Sequence, residues 1–375
     1  MWIYIIMRKL NIRKESLKDG LSGLMRVHNE EQLIEGCVDS VIDVLDELVV
    51  MCNDCTDSTP EILERKRKQY PDKLRVFYYN ENVLSFDLTK DEYEEALSLP
   101  DDSPRLYCNM CNYGLEQVRY KYVVKIDTDQ IYFKDCILHY TDLCHHPERY
   151  HWKPSFLTGH VFAKYFSFYR WYSLKCDKPA LFLLPKWLVK ICINPYREYM
   201  DWLLLKDKVY IAWSGLNVFK ENKWYVPFDH INVHPPYNGQ SDTIIFKLSE
   251  ETYFLKFAHH QVAYSVTEGF NYRRKIMFAG PVWFHLHANR YQCYSRVKDV
   301  LDSNPELFVP LRDFLDYSYK DLLNKFKTNA IPTTFQRTLF YLIHEMGKKD
   351  IKKHLPMIEK YEFSDKKHSA DETNL

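Results

Sequence analysis

Between Leu21 and Phe133 the chain alternates strand-like and helix-like segments, and this alternation limits the fold more than any other feature of its 375 residues. LSGLMRVHN (Leu21 to Asn29) has a strand pattern. Ile34, Val38, Val41, Ile42 and Leu45 then recur at helical spacing, with Asn29 placed to cap the helix. ELVVMCND is a short apolar run of the kind buried on both faces in a parallel sheet. Ser58-Thr59-Pro60-Glu61 opens a second helix, with Pro in its first turn. KLRVFYYN (Lys73 to Asn80) is a third strand. After an insert, an amphipathic helix near Leu106 to Arg119 leads into a fourth strand, YVVKIDTD. The order predicts an α/β fold: a mostly parallel, Rossmann-like sheet with helices on both faces.

In such sheets ligands sit beyond the carboxyl ends of the strands. The residues expected there are His28-Asn29-Glu30, then Asn53-Asp54-Cys55-Thr56-Asp57, then Asp127-Thr128-Asp129. Positions two apart on an extended strand face the same way, so Asp127 and Asp129 are expected to converge on one hard divalent cation. An isolated Asp-x-Asp is as readily a solvated turn, but this one follows an apolar strand and joins two other polar strand ends. Neither G-x-x-x-x-G-K-[ST] nor G-x-G-x-x-G occurs in the first turns of the sheet, so a bound diphosphate would be neutralised chiefly by the metal.

Lys plus Arg equals Asp plus Glu at 51 each, which leaves no basic field and argues against a nucleic-acid partner. MWIYIIMRKLNIRK has an apolar run far short of the roughly 20 residues that cross a bilayer, and its charges follow that run instead of preceding it. A cytoplasmic location is expected. Ten cysteines in this setting read as reduced thiols. The Cys52/Cys55 and Cys108/Cys111 pairs are separated by more than a compact zinc ribbon allows.

Two stretches carry a family resemblance. VHNEEQLIEGCVDSVIDVLDELVVMCNDCTDSTPEIL resembles the opening of GT-A glycosyltransferases, family 2 in particular, and NYGLEQVRYKYVVKIDTD resembles their next block. The likeness is good from Leu21 to Phe133 and looser afterwards. It implies transfer of a sugar from a nucleoside diphosphate sugar, a UDP-sugar by preference. Asn29, Glu30, Asn53, Asp54, Asp57 and Asp127 would surround the nucleotide. Asp127 and Asp129, completed by His285 in preference to His287, would hold Mn²⁺ or Mg²⁺, since carboxylates with at most one imidazole suit those ions. YIAWSGLNVFK (Tyr210 to Lys220) would be the strand and glycine turn that borders the acceptor pocket, with Gly215 allowing close backbone approach, and Asp242, or failing it Asp229, would be the acidic base. Asp242 could equally cap a turn before TIIF.

The insert Glu81 to Arg105 holds eight acids against Lys90 and Arg105, and reads first as a solvated excursion. As a cover over the donor it would bring Arg105 to the diphosphate. FAKYFSFYRWYSLKC and ALFLLPKWLVKICINPYREYMDWLLL mix aromatic and basic residues, a composition suited to sugar stacking or a peripheral contact with the inner membrane face. The expected organisation is an N-terminal segment (1–20), a catalytic domain (21–295, its nucleotide-sugar half 21–133 and its acceptor half 134–295) and a helical extension (296–375) with a disordered tail, SDKKHSADETNL. The expected acceptor is a glycan or a lipid-linked glycan, as in bacterial surface polysaccharide synthesis. The rival readings are a sugar-nucleotide nucleotidyltransferase, which would need a Gly-rich basic first loop where LMRVHNEE offers only Arg26, and a non-catalytic carbohydrate-binding protein.

Overall fold

The computed structural model describes residues 10–12, 16–175, 184–228, 235–238, 243–260, 263–271, 273–318, 321, 324–325 and 334–363. Asp229, Asp242 and the expected tail lie outside the described residues. The first part follows the expected order: β1 (Lys18–Val27), α1 (Ile34–Val41), β2 (Glu47–Asn53), α2 (Thr59–Gln69) and β3 (Leu74–Tyr79). The insert has a helix of its own, α3 (Lys90–Ser98). A capping box opens it, in which Glu92 N donates to Thr89 Oγ1 while the Glu92 carboxylate accepts from Thr89 N. Next come α4 (Tyr107–Gln117), β4 (Tyr120–Ile126), β5 (Gln130–Tyr132), α5 (Lys134–His145), α6 (Ser155–Lys175) and α7 (Lys186–Leu205).

The second half adds β6 (Val209–Asn217), β7 (Phe219–Lys220), β8 (Trp224–Pro227), β9 (Thr243–Lys247), the hairpin of β10 (Phe254–His259) and β11 (Ser265–Phe270), and β12 (Lys275–His285). It ends with α8 (Tyr291–Ser303), β13 (Phe308–Pro310), α9 (Leu311–Asp316) and α10 (Thr334–Glu359).

Eight strands form one sheet in the order β3-β2-β1-β4-β9-β6-β12-β5. The first four pair in parallel, β9 runs against both β4 and β6, β12 rejoins the common direction beside β6, and β5 closes the far edge antiparallel. All seven residues of β2 and all nine of β6 are buried, as strands covered on both faces require. The chain builds outward from β1 to β3 and then returns to the other side of β1. Right-handed crossovers put the returning α4 on the opposite face from α1 and α2. There α4 packs so closely that a Cβ on Gly114 would meet Leu24 Cδ1 at 2.6 Å. The reversal between β1 and β4 is the switch point at which such sheets leave a crevice.

Three residues separate Ile126 from Gln130, and the four steps between their Cα atoms reach at most ~14 Å. In a flat sheet the strands between β4 and β5 would separate them by about 19 Å. The sheet therefore curls. Among the described residues, β9 pairs with Tyr122 to Val124 on one side and Ile211 to Trp213 on the other.

The main core is continuous from Leu10 to Ile358. It includes Leu311 and Phe314 of α9 and Ile343, Met346 and Ile351 of α10, and the His354 ring stacks on Phe133 at 4.3 Å. The C-terminal part is thus packed against the sheet, and α8 runs across the boundary expected at 295/296. Gly215, expected in a turn, stands inside β6 beside Trp283 of β12. Among the described residues no helix is long and apolar enough to cross a membrane.

Candidate active site

Strand register assembles two polar groups at the carboxyl edge of the sheet. In the first, Met25 of β1 pairs with Ile126 of β4, so Arg26 and Asp127 meet one step further on. Arg26 Nη2 donates to Asp127 Oδ1 at 2.8 Å and to Glu268 Oε1 of β11 at 2.9 Å. Lys125 Nζ lies 3.4 Å from Asp127 Oδ2 and 3.2 Å from Glu268 Oε1. The Arg26 guanidinium also lies 5.9 Å from the Tyr107 ring centre. Burial alone would push the Glu268 carboxyl up, but Lys125 and Arg26 hold it below its ordinary value. Two cations and two carboxylates therefore balance, and they tie the β10–β11 hairpin to the end of β4.

The second group forms around Asp129. β12 pairs with β6 and β5 together, placing His285 opposite both Asn217 and Gln130. Leu286 N then donates to Asp129 O at 2.7 Å, which fixes the turn against the end of β12. Asp129 Oδ2 lies 3.3 Å from His285 Nε2, 3.3 Å from His287 Nδ1 and 3.1 Å from Arg290 Nη2. Arg290 Nη2 also reaches Glu30 Oε1 at 2.7 Å. Burial opposes ionisation of Asp129, yet the charges of His285 and Arg290 and the imidazole hydrogen bonds hold its carboxyl well below the carboxylate range. Glu30 goes the other way: burial, reinforced by Asp129, raises it to about 7 against the pull of Arg290. Burial lowers His287, but hydrogen bonds to Asp129 and Cys293 outweigh it and raise the imidazole to about 9.

Of the three expected metal residues, Asp129 and His285 come together and Asp127 stands apart from them. β4 ends at Ile126, so Asp127 and Asp129 flank a turn, and the two-residue alternation that would align them no longer applies. Asp127 faces Arg26 and Lys125, whereas Asp129 faces two histidines. Among the described residues, the grouping of three or more potential metal ligands is Asp129, His285 and His287, whose ligand atoms lie within 4.8 Å of one another. Its chemistry suits a cation. His285 Nδ1 hydrogen-bonds Asn217 Oδ1 at 2.6 Å, which leaves Nε2 as the atom aimed at Asp129. With two imidazoles and one carboxylate the donor set is richer in nitrogen than expected, which moves it from Mg²⁺ towards Mn²⁺ and its neighbours. No cysteine belongs to this grouping, although Cys52 and Cys55 lie with sulfurs 3.6 Å apart.

The other expected residues join the two strand-end loops. Asn29 Oδ1 accepts from Thr56 N at 2.7 Å, and Asp57 accepts from Glu31 N and Thr59 N, each at 3.0 Å. Asn53 Nδ2 donates to the carbonyls of Tyr79 and Glu81 at 2.7 and 2.8 Å, holding the root of the insert. Asp54 is exposed on a left-handed backbone, with φ 44°. Arg105 turns back onto the insert, paired with Glu95 and donating to Asn82 O at 3.2 Å. Sequence reasoning missed Lys125, Asn217, Glu268 and Arg290, treated Arg26 only as a loop charge, and ranked His287 second. A His-x-His-x-x-Arg run after an apolar strand was the available signal for His287 and Arg290.

Residues 22–85 match the model of the family described as Glycosyl transferase family 2. That segment runs from Ser22 within β1 through β2 and β3 and includes both strand-end loops, and the Asp129 group lies on the same edge of the sheet. Among solved structures, S. aureus TarS is 19% identical over 33% of this chain and 19% of its own, with a TM-score of 0.23. Glucosyl-3-phosphoglycerate synthase from Mycobacterium tuberculosis, in complex with Mn²⁺, UDP-glucose and phosphoglyceric acid, is 23% identical over 30% of this chain and 34% of its own, with a TM-score of 0.19. The chain thus spans between a fifth and about a third of the length of these structures. No curated protein matches the chain.

Proposed function

We propose that the chain is a metal-dependent GT-A glycosyltransferase that moves a sugar from a nucleoside diphosphate sugar, a UDP-sugar by preference, to a hydroxyl of a glycan or lipid-linked acceptor, as in bacterial surface polysaccharide synthesis. The observation that carries this reading is the convergence of Asp129, His285 and His287 at the carboxyl edge, beside the family 2 segment and next to the switch point between β1 and β4.

Asp129 Oδ2, His285 Nε2 and His287 Nδ1 would hold the cation, Mn²⁺ in preference to Mg²⁺ for this donor set. When bound, such an ion supplies positive charge to a departing diphosphate. Asn217 orients His285, and Glu30 holds Arg290 beside the same site, adding a fixed positive charge where a diphosphate would rest. Arg26 and Lys125 compensate Asp127, so a donor would meet one less uncompensated negative charge at the end of β4. Asn29 and Asp57 keep the two strand-end loops together, leaving Asp54 exposed to contact a nucleoside. Arg105 would reach a diphosphate only by leaving Glu95.

The test is release of nucleoside diphosphate from a panel of nucleotide sugars, with and without Mn²⁺ and without added acceptor. Wild type should turn over one donor in a Mn²⁺-dependent way. Asp129→Asn and His285→Ala should each lower turnover by about 100-fold, while thermal unfolding stays cooperative. Donor-dependent thermal stabilisation without hydrolysis or transfer would indicate a binding protein, and pyrophosphate release from a nucleoside triphosphate and a sugar phosphate would indicate a nucleotidyltransferase. Either result overturns the proposal.

A further inference from the structure

Helices α6 and α7 pack antiparallel: Phe156 meets Trp202 near the base at 5.7 Å, while Leu184 N donates to Tyr165 OH further along at 3.2 Å. Their inner faces are apolar for an ordinary reason. Phe162 and Phe166 lie against Tyr196, and Phe166 lies against Phe278 of β12. The outer face of α6 has no such reason to be apolar. Leu157, Val161, Phe168 and Trp171 recur at intervals of four, seven and three residues, the spacing of a single helical stripe, and are 64, 66, 54 and 55% exposed. On α7, Trp187 and Ile191 are 63 and 59% exposed. Among the described residues the inner face of α6 packs on α7 and β12, and an outer apolar stripe this exposed has a second contact to make.

The charge around this surface indicates what that contact is. In the sequence, residues 151 to 193 hold seven Lys or Arg against one acid, in a chain whose totals are 51 and 51, and Lys153 among them pairs with Glu198 at 3.3 Å. Lys164 falls within the apolar stripe of α6 and Lys190 lies beside Ile191 on α7, and both are exposed. Two copies of the chain meeting through this face would bring like charges together, so self-association is disfavoured. An acidic bilayer surface would match both features, with aromatic rings at the headgroup level and lysines beside anionic lipid phosphates. The helices would lie in that surface and not span it, consistent with the absence of a crossing helix among the described residues and with the inner faces remaining docked on β12.

We infer that the exposed face of α6 and α7 is a docking surface for anionic lipid bilayers. This stands apart from the transfer reaction, and its test needs neither donor nor metal. The full chain is sedimented with vesicles of phosphatidylcholine alone or mixed with phosphatidylglycerol, at low and moderate salt, and tryptophan quenching by lipids spin-labelled near the headgroup is read in parallel. Binding should be at least ~10-fold tighter to the anionic vesicles and should weaken with salt, since each basic residue near such a surface adds about a tenfold-scale or smaller factor. Ile191→Ser and Trp187→Ser should each reduce it by about 10-fold, and Lys164→Glu with Lys190→Glu should remove the preference for anionic lipid.

These positions are exposed, so the melting temperature should not move. If a variant does melt early, Leu157→Ser with Val161→Ser tests the same surface from α6. Three results would overturn the inference: no binding to anionic vesicles at low salt, binding indifferent to all of these substitutions, or a dimer at working concentration that Trp187→Ser dissociates, which would make a second copy the occupant.

Discussion

Replacing Arg290 by Ala removes the one group that touches both Glu30 and Asp129 among the described residues, at 2.7 and 3.1 Å. Both carboxylates are more than nine-tenths buried. Taking one partner from a buried ion pair costs about 3–5 kcal/mol, because the remaining charge has neither water nor a counterion. Three features reduce that here. Asp129 keeps His285 and His287 at 3.3 Å, Glu30 is already raised to about 7 and can take up a proton near neutral pH, and Arg290 Nε is itself buried without a partner among the described residues. The net loss should be ~2–3 kcal/mol, read as a lower urea midpoint near neutral pH without divalent cation. Glu30→Gln combined with Arg290→Ala should recover most of it, since no second carboxylate is then left uncompensated.

Mn²⁺ supplies the other half of the test. A guanidinium and a divalent cation compete for Asp129 Oδ2, so Mn²⁺ should stabilise Arg290→Ala more than wild type, by about 1.4 kcal/mol for each tenfold gain in affinity. A loss below ~1 kcal/mol would show that the pair is not buried in the way described. Equal stabilisation of both proteins by Mn²⁺ would show that the ion does not bind at Asp129.

Gly215→Ala would place a methyl 1.9 Å from Nε1 of the fully buried Trp283, and should cost about 3 kcal/mol in thermal or urea unfolding, with Trp283→Phe in the same chain recovering part of the loss. Asn217→Leu removes the acceptor for His285 Nδ1 and should weaken Mn²⁺ binding about 10- to 100-fold, measured by titration of the free protein. His139 is half-exposed and, although burial lowers it, its 2.8 Å hydrogen bond to Asp201 raises its pKa overall. Its contribution to stability is therefore complete below the unfolded value of roughly 6.5 and is lost as pH rises through the higher folded value. Asp201→Asn should flatten that part of the stability profile, and an unchanged slope would contradict it.

The first four strands were legible because their signals are local: apolar runs of strand length bounded by Asn29, Asn53 and Asn80, each followed by helical spacing or a polar stretch. The pairing of β9 with β4 and of β12 with β5 was not legible, since it joins residues more than a hundred positions apart. Which way the two carboxylates of Asp-x-Asp turn was not legible for a related reason. Its geometry depends on whether the strand continues beyond Ile126, and the turn that stops it is set by the distant end of β12, where Leu286 N binds Asp129 O. Gly215 looked like a turn residue because glycine usually is one, and its partner Trp283 lies 68 positions away. Arg26 in an apolar strand was a readable anomaly, because a buried guanidinium requires carboxylates, and Asp127 was the nearest strand-end acid to consider.

Strand β5 begins four residues after β4 ends, yet its sheet partner is β12. As the chain is synthesised, β1 to β4 can pair as soon as they emerge, but Gln130 has no strand to join until His285 has been added. That is an interval of about 155 residues, or roughly 8–30 s at common elongation rates. Through that interval the turn bearing Asp129 is attached to a nascent edge, and the imidazoles that will face it do not yet exist. The loops of the family 2 segment can form well before the Asp129 group, which therefore assembles in one of the last steps of folding and from contacts of very long sequence separation.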